Sequence, residues 1–196
     1  MVFCILAGFI LILSFFAQEF IPDFGWAFQA RLLLVHAMFY SISVSVPFPV
    51  MLLFALIAGF IWDARYHIPF EAIADGDKLA SAELPFGFTI FVFGLMGAFI
   101  QGVRPLFRSG RWELPVAMVG ICTLGGLLIE YLVISFNRGG LAVSAEFWWK
   151  LTLTSLFSLL VAPFILLLLS RLADLTKFKI RYEGITRRYS YDGDAF

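Results

Sequence analysis

Residues 32–62 read LLLVHAMFYSISVSVPFPVMLLFALIAGFIW and contain no aspartate, glutamate, lysine or arginine. A single straight helix over this run would be roughly 46 Å long, whereas the hydrocarbon core of a bilayer is roughly 30 Å thick. Pro47 and Pro49 remove two amide donors from the middle of the run and disfavour helix before them. The run therefore predicts a hairpin of two short membrane spans that turns near Pro47. One kinked span, which would leave five spans in the chain, is the alternative.

The composition of the whole chain also indicates a membrane protein. Of its 196 residues, 61% are hydrophobic and 14% are charged, whereas soluble domains are about a quarter charged. The net charge is zero, which disfavours nucleic acid as a partner because phosphate binding needs a basic surface. We expect one all-α transmembrane domain over residues 1–175 and a basic cytoplasmic tail over residues 176–196.

Runs with no charge, or with a single charge, predict six transmembrane helices. They are residues 1–18, the two arms of 32–62, 84–103, 114–137 with Glu130 inside it, and 151–170. The first run has no lysine or arginine before it and no small-residue cleavage site after it. It is therefore interpreted as an uncleaved span and not as a signal peptide.

The positions of lysine and arginine predict the orientation. Two basic segments, the link 104–113 and the tail from residue 171, are separated by two spans and so lie on one side. Basic residues mark the cytoplasmic side of a membrane protein. With six spans, we expect both termini in the cytoplasm and the acidic link 63–83 outside.

Glu130 is the most unusual residue, because apolar or small residues flank it on both sides. A charged side chain at the bilayer centre costs about 2.5 kcal/mol or more. Glu130 is either a proton or substrate site or an interhelical lock bonded to a hydroxyl, to His36 or to an arginine. His36 and His67 alone do not make a metal site, and no familiar catalytic motif is present. We therefore predict no enzyme activity, no cofactor and no metal.

Small residues predict close helix packing. Ala55 and Gly59 precede Asp63 at four-residue spacing and form a strip that another helix can approach closely. Asp63 is expected to cap the following loop, or to contact Arg65 or another helix. Gln101 is a candidate hydrogen-bonding partner on the fourth span. Further glycines with a packing role are expected at Gly87, Gly94, Gly97, Gly102, Gly120, Gly125 and Gly126.

The stretch Gly59-Phe60-Ile61-Trp62-Asp63, followed by Leu84-Pro85-Phe86-Gly87-Phe88, resembles the rod shape-determining protein MreD family. That family has a glycine-x-x-x-aspartate end to its third span and a leucine–glycine step into its fourth. Glu130 in the fifth span and Pro163 in the last span agree with the family pattern. The similarity covers residues 3–175. The link from Asp63 to Gly87 and the tail are longer here than in the family.

The resemblance implies a non-enzymatic scaffold subunit of the cell-elongation machinery in the bacterial inner membrane. The implied partners are membrane lipid, MreC, the MreB filament, RodA and a penicillin-binding transpeptidase. The structural or partner-contact candidates are Gly59, Asp63, Gly87, Arg104, Arg108, Arg111, Glu130 and Pro163. The alternative function is the substrate-binding subunit of a vitamin transporter, in which Glu130, Gln101 and His36 would line the pocket.

Overall fold

The computed structural model describes residues 2–27, 29–65, 85–109, 112–137 and 145–178. These residues form six α-helices, α1 (Val2–Glu19), α2 (Leu34–Ser45), α3 (Phe48–Arg65), α4 (Phe88–Val103), α5 (Glu113–Asn137) and α6 (Ala145–Leu175). Two short 3-10 helices, Gly25–Ala27 and Arg104–Ser109, lie between them. The prediction of an all-α chain with six helices is confirmed. Helices α1, α3, α5 and α6 are long and apolar enough to cross a membrane, as in a multi-pass membrane protein.

Helix α2 lies at the centre of the bundle. The other five helices form a closed ring around it, in the order α1, α3, α4, α5, α6, and α2 contacts each of them. Every residue of α2 from Val35 to Ser45 is buried. The ring helices instead expose large apolar side chains such as Phe9, Leu53 and Phe164. The apolar surface of α2 is therefore covered by protein, whereas the outward surface of the ring is suited to lipid.

The helices alternate in direction, so the bundle has two distinct ends. At the end that we call the terminus end, the ring of Phe3 stacks on that of Phe178 with centroids 4.6 Å apart. At the opposite end, Arg65 Nε lies 2.8 Å from Glu19 Oε1. The start of α1 and the end of α6 therefore lie together, and the ends of α1 and α3 meet at the other end.

The proline break separates α2 from α3 as the sequence predicts. Val46 is extended (φ −99°, ψ 158°), and its amide donates to the Ile42 carbonyl over 3.0 Å. Pro47 has no amide hydrogen to continue α2. Its carbonyl accepts from the Met51 amide over 3.0 Å, which makes it the first acceptor of α3.

Gln18 of α1 caps the start of α2. Its Oε1 accepts from the amide of Leu34 over 2.7 Å and from that of Val35 over 3.4 Å. Its Nε2 donates to the Leu32 carbonyl over 2.7 Å. The first amides of a helix have no partner within the helix, and Leu33 at the cap position supplies no side-chain bond. A side chain from another helix therefore satisfies them.

Gln101 and Arg104 cap the end of α2. Gln101 Nε2 donates to the carbonyls of Ser43 and Val46, over 2.7 and 2.8 Å. Arg104 Nε donates to the Val44 carbonyl over 2.8 Å, and Arg104 Nη1 donates to Gln101 Oε1 over 2.9 Å. Arg104 is only 4% exposed. Arg104 was expected on a basic surface formed by the link 104–113, and this expectation is wrong. Its guanidinium donates hydrogen bonds to carbonyl oxygens inside the bundle.

Close approach of helices occurs at some of the expected glycines. A Cβ added at Gly59 would lie 2.5 Å from Ile90 Cα, so the backbones of α3 and α4 nearly touch there. Gly97 packs on Met51, and Gly120 packs on Leu159. A packing role was wrong for Gly87, Gly94 and Gly102, since no heavy atom of the described chain would lie within 4 Å of an added Cβ.

Helix α6 is longer than predicted at both ends. The span was predicted over residues 151–170, whereas α6 begins at Ala145 and already includes Lys150. The Lys150 side chain is exposed, so the helix carries this charge without burying it. Pro163 lies inside α6 and does not end it.

We expect Gly59→Ala to destabilise the bundle by about 2 kcal/mol, because the new methyl group meets the backbone of Ile90 and forces α3 from α4. Gly94→Ala is the matched control on α4, where the methyl group meets open space. Thermal unfolding of the purified proteins in detergent measures both. An unfolding temperature of Gly59→Ala equal to that of Gly94→Ala would contradict the close contact.

Arg104→Met should lower stability by about 2 kcal/mol, since hydrogen bonds to charged groups contribute about 1.5–3 kcal/mol. The change leaves the Val44 carbonyl without its donor inside the bundle. Arg171→Met is the control, because Arg171 is exposed near the end of α6. The same unfolding assay compares them, and equal effects of the two changes would refute the capping role.

Candidate functional site

A cavity of about 350 Å³ lies at the opposite end of the bundle. Its mouth is lined by exposed polar residues, among them Asp23, Arg31 and Lys150. Its inner wall includes His36, which is 2% exposed, and Leu151, which is 5% exposed. Cavities of this size hold small organic ligands, which are usually bound by apolar walls and a few placed polar groups.

Asp63 at the end of α3 holds the start of α4 beside this cavity. The Gly87 amide donates to Asp63 Oδ2 over 2.7 Å. Gly87 has φ +92°, a left-handed conformation that glycine adopts without the steric cost of a Cβ. Phe88, the next residue, begins α4. The aspartate thereby satisfies a backbone donor just before the helix and places a negative charge near its positive end.

This contact resolves the alternatives for Asp63. Its bond goes to the start of another helix, as one of the expectations stated. Arg65 instead pairs with Glu19. Gly59 and Asp63 therefore fix one side of the α3–α4 contact, and Ile90 and Gly87 fix the other.

Glu130 of α5 lines the cavity. Its Oε1 is buried and has no hydrogen-bond partner among the described residues. The expected interhelical lock to a hydroxyl, to His36 or to an arginine is therefore not formed by this atom. Glu130 and Asp63 line the same cavity.

His36 of α2 is enclosed by aromatic rings. Its ring centroid lies 4.6 Å from that of Trp62, 4.8 Å from that of Phe93 and 6.2 Å from that of Tyr40. In the part of the chain that the structure describes, His36 Nδ1 and Tyr40 Oη are buried without a hydrogen-bond partner. Buried polar atoms usually have one, so this region is under-satisfied.

The structure brings together only some of the predicted site residues. Asp63 and Glu130 share the cavity, whereas Arg104 and Gln101 lie at the terminus end. The expected pocket of Glu130, His36 and Gln101 is therefore corrected, since Gln101 caps α2 instead. Pro163 is half-buried in α6 and does not line the cavity.

Several other expectations fall outside the described residues. Arg111, His67, residues 66–83 of the acidic link and residues 179–196 of the tail are among them, and so is the side chain of Arg108. Cys4 and Cys122 are both free thiols. Within residues 2–27, 29–65, 85–109, 112–137 and 145–178, no group of three or more His, Cys, Asp or Glu residues is arranged to hold a metal.

Sequence reasoning identified Gln101 as a hydrogen-bonding partner, but it missed the capping roles of Gln18 and Arg104 and the aromatic wall. Gln18 stands out as the amide in the last turn of an apolar helix, and Gln101 and Arg104 are spaced i, i+3 at the end of another. Such polar residues at helix ends were a usable signal. Tyr131 and Phe147 line the cavity with ring centroids 3.8 Å apart, and nothing in the local sequence links them.

Comparison of the chain with family models, with curated proteins and with solved structures found no match.

Asp63→Leu should destabilise the protein by about 1–3 kcal/mol, because the Gly87 amide loses its acceptor. Asp63→Asn keeps an acceptor oxygen at the same place and should stay close to the wild type. Thermal unfolding in detergent distinguishes them. If both variants lose the same stability, the charge of Asp63 and not its hydrogen bond is what matters.

Proposed function

We propose that this chain is an MreD-like scaffold subunit of the bacterial cell-elongation machinery. In this role it has no enzymatic activity and sits in the inner membrane. It joins cytoplasmic MreB filaments and MreC to peptidoglycan synthesis by RodA and a penicillin-binding transpeptidase. It thereby contributes to control of cell shape.

The contact between Asp63 and Gly87 is the observation that carries the proposal. The two short motifs behind the resemblance, one ending in Asp63 and one containing Gly87, are separated by a long link. They nevertheless meet through a 2.7 Å hydrogen bond, and the Gly59 contact lies on the same face. The two motifs therefore form one contact between α3 and α4, and this supports the proposed membership of the family.

The proposed topology has six spans with both termini in the cytoplasm. The stacking of Phe3 on Phe178 supports two termini on one side. The basic residues of the tail and of the link after α4 follow the positive-inside pattern on that same side. Helix α2 is then a short inner span of roughly 18 Å, screened from lipid by the ring.

Partner contacts on the cytoplasmic side are proposed for Arg108 and Arg111. Arg104 is excluded from that surface because its guanidinium caps α2 inside the bundle. Arg104 instead fixes the start of the link 104–113, and this link carries Arg108 and Arg111. The apolar outer faces of the ring are available to lipid and to partner helices.

A second candidate function is the substrate-binding subunit of a small-molecule transporter. The cavity of about 350 Å³ favours it, because a scaffold has no need of a pocket that combines apolar walls with a few polar groups. In that case His36 and Glu130 contribute to the pocket, and Gln101 does not.

Co-purification tests the two functions. The tagged full chain, expressed in its own host, is expected to retain an MreC-like protein and the MreB filament protein. Capture of paired ATPases without an MreC-like protein would overturn the scaffold proposal and support the carrier.

The double change Arg108→Glu and Arg111→Glu should reduce recovery of the cytoplasmic filament protein, because it reverses the charge of the proposed contact. Lys150→Glu is the control, since Lys150 is an exposed cation at the opposite end. Unchanged recovery of the filament protein with the double variant would assign that contact to another surface.

A further inference from the structure

The inner wall of the cavity holds polar atoms that the described protein does not satisfy. His36 Nδ1 and Glu130 Oε1 are both buried without a hydrogen-bond partner there, and both residues line the cavity. Leaving such an atom unpaired costs about 1–3 kcal/mol. Two such atoms in residues that line one cavity indicate that a bound molecule supplies the missing partners.

The charges around the cavity favour a cationic group at the inner wall. Glu130 and Asp63 both bring a carboxyl group to the cavity. Of the cations that line the cavity, Arg31 pairs with Asp23 at the mouth, and Lys150 is exposed. The inner wall, as far as the structure describes it, therefore has two carboxyl groups and no lysine or arginine. A positive group that enters would be attracted by both.

The remaining wall is suited to the body of an organic cation. Trp62, Phe86, Tyr131 and Phe147 all line the cavity. Aromatic faces attract ammonium groups within about 6 Å of the ring centre and also bury apolar carbon. An inorganic ion would use the carboxylates and would leave this aromatic surface without a contact.

We propose that the cavity binds an organic ammonium group attached to a small apolar body. Glu130 Oε1 accepts a hydrogen bond from the ammonium, and the Asp63 carboxylate adds attraction while it continues to hold Gly87. The aromatic wall packs on the apolar part. Two sources share this chemistry, a free amine from solution and the ethanolamine headgroup of a membrane lipid.

The primary test is equilibrium binding of phenethylammonium to the purified full chain in detergent. We expect saturable binding, and affinity lower by about tenfold for 2-phenylethanol, which has the same apolar body and no charge. Glu130→Gln should also lose about tenfold in affinity, because the charge-assisted bond becomes a neutral one. Equal binding of the amine and the alcohol would overturn the proposal.

Two further variants make the result specific. Glu113→Gln is the matched control, because Glu113 is an exposed glutamate at the other end of the same helix, and it should bind like the wild type. Ile134→Trp fills part of the cavity, leaves both acids in the sequence and should abolish binding. It also serves if Glu130→Gln does not fold. Retained binding by a folded Ile134→Trp protein would place the amine elsewhere and refute the site.

The source of the ammonium is distinguished in nanodiscs. Both disc types are compared at high salt, which screens the negative surface charge of phosphatidylglycerol. If the lipid headgroup is the natural ligand, phosphatidylethanolamine should compete, so phenethylammonium binds about tenfold more weakly there than in phosphatidylglycerol discs. If a free amine is the ligand, the affinity is the same in both lipids. Loss of affinity for Glu130→Gln is required in either case, and its absence in both lipids would sink the proposal.

Discussion

The two ends of α2 impose the constraint on which the rest of the bundle depends. A helix has unpaired amides at its start and unpaired carbonyls at its end. Helix α2 has only 12 residues and is surrounded by five others, so each group at its ends that stays buried without a partner would cost several kcal/mol. Gln18 and the pair Gln101 and Arg104 supply the partners. Gln18 belongs to α1, and Gln101 and Arg104 lie at the end of α4. Capping α2 therefore also fixes the positions of α1 and α4 along the bundle axis relative to α2.

The two ends of the bundle differ in how well their buried polar groups are paired. At the terminus end, side-chain donors are matched to backbone carbonyls around Gln101, and Phe3 stacks on Phe178. At the opposite end, His36 and Glu130 keep unpaired atoms along a cavity. The candidate ligand-binding site is therefore at the opposite end. This difference between the ends also separates the surface proposed for cytoplasmic partners from the cavity, so that both roles can exist in one chain.

Local sequence was enough for the helices and for their order. Apolar runs and the prolines at 47 and 49 predicted six helices and the α2–α3 break, because those features act through the backbone itself. Packing was predicted only in part. Gly59 and Gly94 look alike in sequence, yet one touches the backbone of Ile90 and the other faces open space. The difference depends on the rotation of each helix, which single residues do not specify.

The sequence by itself determined that the chain is an apolar, all-helical membrane protein, and it singled out Asp63, Gly87 and Glu130 as unusual. Only the tertiary structure decided what each residue does. Hydropathy is the same for a helix buried in lipid and one buried in protein, so the run 32–62 did not disclose that its first arm is the core and its second a ring helix. In the same way, a lone charge such as Arg104 or Glu130 gains its role from the partner that folding brings to it. Arg104 meets carbonyls of α2, whereas Glu130 Oε1 meets none and faces a cavity.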